Sequence, residues 1–314
     1  MVALVHREPL PDEDGGEETY FMKRTLTGIV VAAGTIALGM SGAVAANAAD
    51  PVTYVALGDS YAAGTGAGSY ISDATNCYRS KLGYPTRIAT TAGYSLNLQA
   101  CSGAIIADVS GKQLGTLSTE TDYVTITVGG NDIGFSSVIS TCLGTNTTAC
   151  YNAVAAAVTK TGNLSTTLKP LFDSVKSKAP NATIVATNYP RLFNGKDCSL
   201  LTSFTSEEMK RLNAGADTLS DTIKSTASAA GIGFADVRTP FIGHAVCDSK
   251  AWINNASLFS SYNSFHPNAT GYGSGYTPSV TTALAPVTTS STMTLKTGGT
   301  TSSDTRRGEV KIKA

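Results

Sequence analysis

The chain has 314 residues in which 23 Lys and Arg balance 23 Asp and Glu, so its formal charge at pH 7 is zero with histidine neutral. No basic block stands out in its central part, which argues against the phosphate-binding footprint of a nucleic-acid partner. Only three histidines occur and no C-x-x-C is present, so a zinc centre is not indicated and no metal is expected.

In chain order, residues 1–21 are acidic and loop-like, and they are set aside as a leader or over-called start. Lys23 and Arg24 then precede an apolar run, "LTGIVVAAGTIALGM", followed by small residues that include Ala46-Asn47-Ala48. A basic start, an apolar core and an A-x-A site make residues 22–49 an export signal, cut near Ala48 or Ala49. The run is shorter than the ~20 residues a bilayer span needs, so stable membrane insertion is not expected. Residues 50–285 form the expected folded domain. Beyond them, 286–314 are rich in Thr, Ser and Gly with few large apolar residues, which suits a disordered tail.

Within the folded block, short β-branched runs at 52–58, 123–129, 183–190 and 232–237 read as strands. Between them, 153–180 and 205–231 carry apolar residues at helical spacing. Ser206-Glu207-Glu208 offers a start with acids in the first turn, and Gly231 stands where a C-cap belongs. Strands alternating with helices predict an α/β domain with a parallel sheet covered on both faces. All six cysteines, Cys77, Cys101, Cys142, Cys150, Cys198 and Cys247, follow the export signal. An even count in an exported chain favours disulfides, and six cysteines allow 15 pairings. Pairing in sequence order is the simplest because it closes the shortest loops.

In open parallel sheets, ligands bind beyond the carboxyl ends of the strands. Ser60 follows the first strand in "YVALGDSYAAGTG" and Asn131 follows another in "VGGNDIGF", so both reach the same rim. A serine hydroxyl attacks at neutral pH only if a base takes its proton and donors face the developing oxyanion. His266, in "SYNSFHPNATGY", lies on a stretch without periodicity that suits a loop presenting one side chain; His244 is the rival base.

"GDSY" (58–61), "ACSGA" (100–104), "VGGNDIGF" (128–135) and "FHPN" (265–268) together resemble, in order, the four blocks of the SGNH or GDSL hydrolases. More closely, the chain resembles the secreted actinobacterial lipases and esterases of that family, which share three disulfides. The resemblance spans about Tyr54 to Gly271. It implies a three-layer α/β/α sandwich with a central parallel sheet and an ester hydrolase that acts without a cofactor. Its partners would be small-molecule or lipid esters, and it would work as a secreted monomer.

Carried over residue by residue, the resemblance makes Ser60 the nucleophile and His266 the general base. The Ser60 and Gly103 backbone N–H groups and the Asn131 side-chain amide become oxyanion donors. The family pattern places Asp three residues before the histidine, but here that residue is Asn263. Some members instead orient the imidazole with a main-chain carbonyl just upstream, which points to Asn263 or Ser264; Asp236 or Asp248 could also fold back to it. Within esterases, a carbohydrate esterase that removes acetyl groups is the alternative, and a non-catalytic exported binding module is the reading from another class.

Overall fold

The computed structural model describes residues 50–285. The expected leader, export signal and Thr/Ser-rich tail lie outside the described residues. Five strands form one parallel sheet: β1 (Thr53–Gly58), β2 (Ser95–Leu98), β3 (Tyr123–Thr127), β4 (Thr183–Thr187) and β5 (Gly233–Ala235), in the order β2-β1-β3-β4-β5. On β1, Tyr54 stands opposite Tyr123 and Gly58 opposite Thr127 of β3. The three central strands are almost wholly buried, because helices cover both faces of a parallel sheet.

The helices are α1 (Ser60–Ala63), α2 (Tyr84–Ala92), α3 (Ile106–Asp108), α4 (Phe135–Cys142), α5 (Thr147–Asn163), α6 (Ser165–Lys178), α7 (Ser206–Ala230) and α8 (Thr277–Leu284). One group comprises α1, α2 and α8, and the other packs α5 on α4 and α7, with α6 on α7. This is the expected three-layer α/β/α arrangement. Among the described residues, no helix is long and apolar enough to cross a membrane.

The core beneath α2 and α8 is rich in tyrosine. Tyr54, Tyr84, Tyr272 and Tyr276 are fully buried, and each hydroxyl has a partner. Tyr54 Oη lies 2.7 Å from Thr125 Oγ1 and Tyr84 Oη 3.0 Å from Thr127 Oγ1. Tyr272 donates to the Thr65 carbonyl and Tyr276 to that of Asn188. Burying a phenol is tolerable only with such a partner. The disulfides join Cys77 to Cys101, Cys142 to Cys150 and Cys198 to Cys247, in sequence order.

The segment expected as one helical stretch over 153–180 is two helices that meet at Leu164, and the first begins earlier, at Thr147. Buried Leu164 and Leu168 belong to the same core as Val154 and Ala157, so the apolar period continues across the break and hides it in the sequence. Helix α7 starts as expected, but its cap is Thr205. The Thr205 hydroxyl accepts from Glu208 N while the Glu208 carboxylate accepts from Thr205 N, a reciprocal cap. Strand β2 has no counterpart among the expected strands; its four residues, "SLNL", are too short and too polar to signal one.

At the carboxyl end of β1, Gly58 has φ +127°, and a Cβ there would lie 2.0 Å from the Thr127 carbonyl oxygen. Only glycine permits this approach. β2 stops pairing at Leu98, opposite Ala56, so Gly58 N has no partner in that strand, although Cys101 N, just past β2, donates to Gly58 O at 3.0 Å. The buried Gln113 side chain compensates, accepting from Gly58 N at 2.7 Å and donating to Gly58 O at 2.9 Å.

Candidate active site

Ser60 opens α1 directly after β1. Asp59 caps the helix, its Oδ1 accepting from Tyr61 N at 2.9 Å. The first N–H groups of any helix lack intrahelical partners, so the Ser60 N–H is a free donor at the strand end. Ser60 is nearly buried, and its Oγ lies 2.7 Å from His266 Nε2 across 206 residues of sequence.

The other ring nitrogen, Nδ1, is 3.0 Å from the Ser264 carbonyl oxygen. A carbonyl can only accept, so Nδ1 carries the proton and donates, which leaves Nε2 to accept from the serine. Of the two carbonyls expected, it is therefore that of Ser264. The Asn263 carbonyl instead accepts from His266 N, and its side-chain oxygen accepts from Tyr70 Oη at 2.5 Å. Neither distant carboxylate folds back. Asp236 is held by Arg238 and Asn188, and Asp248 by Ala245 N and Asn194. His244 also lies elsewhere, stacked on Trp252 at 3.6 Å with Nδ1 on the Lys250 carbonyl.

The half-buried His266 ring packs on Tyr61 with centroids 5.0 Å apart, and burial pushes its pKa down to about 4 against the pull of the Ser264 carbonyl. The imidazole is therefore neutral at pH 7, the form that can take a proton.

The remaining expected donors share this rim. Ser60, Gly103, Asn131 and His266 line one open groove. Asn131 Nδ2 donates one hydrogen to the Ala104 carbonyl at 3.0 Å, which fixes the amide and leaves its second N–H available. Next to it, the Asp132 carboxylate accepts from Ile106 N at 3.1 and 3.2 Å. The "GGND" segment thus holds the stretch that follows Gly103 at two points, Ala104 and Ile106. A second, apolar cleft opens at the same serine, running between Val138 of α4, Val154 and Ala157 of α5, and Leu212, Gly215 and Leu219 of α7.

Sequence reasoning missed the supporting layer. Asp59 is 1% exposed, and its Oδ2 accepts from Tyr189 Oη at 2.5 Å. Tyr189 Oη in turn accepts from Gly130 N at 3.1 Å, linking the Ser60 segment to the Asn131 segment. Burial lifts the Asp59 carboxyl to about 7, although the Tyr189 hydroxyl and Tyr61 N–H hold it lower than burial alone would. Tyr61 also donates to the Phe265 carbonyl at 2.7 Å. A signal was available: "NYP" at 188–190 follows β4 as Ser60 follows β1, so the rule that placed Ser60 at the rim also places Tyr189 there.

Comparison with known proteins identifies the family. The GDSL-like Lipase/Acylhydrolase family model matches residues 56–273. Lipase 1 of Streptomyces coelicolor is 38% identical over 258 residues, covering 81% of this chain and 94% of that protein. The crystal structure of the extracellular lipase from Streptomyces rimosus superposes with a TM-score of 0.71 at 37% identity, covering 74% of this chain and 99% of that one. Phospholipase A1 from Streptomyces albidoflavus NA297 gives a TM-score of 0.71 at 34% identity, with 74% and 99% coverage. The chain belongs to the GDSL-like lipase/acylhydrolase family.

Proposed function

We propose that this carboxylic ester hydrolase is an exported lipase or esterase in which Ser60 is the nucleophile and His266 its general base. The observation that carries the assignment is the relay from Ser60 Oγ to His266 Nε2 at 2.7 Å and from Nδ1 to the Ser264 carbonyl at 3.0 Å. Ser60 Oγ attacks the acyl carbon as its proton passes to Nε2. The oxyanion that forms is met by the Ser60 and Gly103 N–H groups and the Asn131 amide. The imidazolium then protonates the departing alcohol, leaving an acyl-serine. Water, deprotonated by the same nitrogen, releases the acid and restores the hydroxyl.

The apolar cleft beside Ser60 favours an acyl chain over a lone acetyl group, which would leave most of the lining of α4, α5 and α7 unused. This supports lipid or longer-chain esters over acetylated polysaccharide. Export is supported by the three disulfides, which suit an oxidising compartment, and by the likeness to an extracellular lipase.

A fluorophosphonate probe, which phosphonylates an activated serine, tests the assignment. The adduct is expected on Ser60 alone, and p-nitrophenyl octanoate is expected to be cleaved with higher kcat/KM than the acetate. An adduct on another serine would overturn the nucleophile, and preference for acetate would overturn the acyl reading.

A further inference from the structure

Nine large apolar side chains are exposed among the described residues, and five of them sit on two loops: Leu200, Leu201, Leu258, Phe259 and Tyr262. Scattered exposed apolar residues are ordinary, but a cluster marks a surface meant to be covered. Leu200 and Phe259 are 104% and 99% exposed, and Leu258 is 76% exposed. Their neighbours Leu201, Leu258 and Tyr262 line the groove that contains Ser60 and His266. The cluster is therefore continuous with the mouth of the candidate active site.

Both loops are built to hold these tips outward. Asp197 accepts from Ser199 N, Thr202 Oγ1 and Phe204 N, closing the first loop around a carboxylate. In the second, Ser264 Oγ accepts from Ser257 N, and Ser257 Oγ accepts from Ser260 N. The loops are also tied to one another. The Cys198–Cys247 disulfide anchors the first, and Asn255 Nδ2 donates toward both of its sulfurs, at 3.5 and 3.9 Å. Neither 198–204 nor 255–264 contains a Lys, Arg, Asp or Glu. Lys196 and Asp197, exposed where the first loop begins, are one cation and one anion, so the rim carries no net charge and fits a lipid surface without net charge. A protein docked there would stopper the groove, whereas a lipid surface would feed esters into it.

We propose that these loops dock the enzyme on the surface of aggregated neutral or zwitterionic lipid, with the groove facing that surface. This rests on the reading of the groove as a lipid-ester site. Two measurements test it separately. In the first, full-length Phe259→Trp and Val52→Trp are mixed with phosphatidylcholine vesicles brominated in their acyl chains; Val52 is exposed at the far end of β1. Quenching is expected for Phe259→Trp and not for Val52→Trp, and the single native tryptophan is common to both.

In the second, Leu200→Asp/Phe259→Asp is assayed on tributyrin below and above its solubility limit. Neither residue lines the groove, so hydrolysis of dissolved ester should match wild type while hydrolysis of droplets falls about tenfold. A melting curve equal to wild type checks the fold. Equal quenching of both reporters, quenching of neither, or equal slowing on dissolved and dispersed ester would overturn the docking surface. If the wild type leaves both dissolved and dispersed tributyrin intact, the lipid-ester reading of the groove fails, and the quenching pair alone decides the docking surface.

Discussion

The two halves of the Ser60–His266 pair are held in different ways. Ser60 stands at a strand-to-helix junction, where β1, the Asp59 cap and the Gly58–Thr127 contact leave the backbone little choice. His266 stands on a loop without regular secondary structure, and its position comes from hydrogen bonds reaching across the sequence. Asn254 N donates to the His266 carbonyl, Phe265 N to the Asn254 carbonyl, and Asn254 Nδ2 to the Gly66 carbonyl at 2.9 Å. Tyr61 Oη holds the Phe265 carbonyl, and Phe265 itself has φ +60°, a conformation that only surrounding contacts maintain in a bulky residue. Gly66 completes the clasp, because a Cβ there would lie 2.7 Å from His266 Cβ. The proposed nucleophile is placed by the fold, and the proposed base by Asn254 of a neighbouring loop together with Tyr61 and Gly66 of the Ser60 segment.

The largest expected effect removes one member outright. Ser60→Ala should lower kcat by on the order of 10⁶ with an unchanged melting temperature, since the junction is built by its neighbours. A variant keeping a tenth of the activity would break the assignment of Ser60. In the proposed oxyanion site, Asn131→Ala removes one donor to charge that exists only in the transition state. Its kcat should drop by about 10² to 10³ with little change in KM, read from full Michaelis curves.

The pH profile probes the base directly. As the proposed base His266 would act only when neutral, so kcat/KM should fall as pH drops through its pKa, which burial has moved down to about 4. At pH 4.5 the enzyme should therefore retain on the order of 10² more activity than a histidine with an ordinary pKa near 6.5 would allow. An acid limb centred near 6.5 would show that the ring is solvated in the working enzyme.

Tyr61→Phe keeps the ring that packs on His266 and removes only the bond to the Phe265 carbonyl. Losing one buried hydrogen bond that positions the base should cost roughly tenfold in kcat. Wild-type kcat would mean that the loop is held without it. The smallest effect should belong to Asn263→Ala, within about tenfold of wild type, because the Ser264 carbonyl that receives the Nδ1 proton survives and the penalty stays far below the ~10⁴ of a lost triad carboxylate. A thousandfold fall would show that the Asn263 side chain orients the imidazole after all.

The same contrast explains what the sequence made legible. Ser60 and Asn131 could be located because each follows a strand whose apolar run is plain, and strand ends share a rim. The choice between the Asn263 and Ser264 carbonyls could not be read, because it depends on the positive φ of Phe265 and on partners some 200 positions away. Tyr61 and Tyr189 were present as letters, but a tyrosine near a strand end looks like core until its hydroxyl has a partner. The break at Leu164 was masked by continuous apolar spacing, and β2 by its brevity. Leu258 and Phe259 show the converse limit: an apolar pair in a sequence reads as interior, and only the fold puts it outside.

The Gln113 side chain beside Gly58 also has a dynamic consequence. Its amide offers one acceptor and one donor to the Gly58 backbone, the same pair that an adjacent strand would present. The ladder therefore runs one rung past the last residue of its edge neighbour, up to the peptide that precedes Asp59 and Ser60. In amide exchange, the Gly58 proton should accordingly behave as interior sheet rather than as a frayed strand tip, opening only with the whole domain. Shortening that one side chain, as in Gln113→Ala, would let the strand end open locally and admit water to the peptide behind the serine.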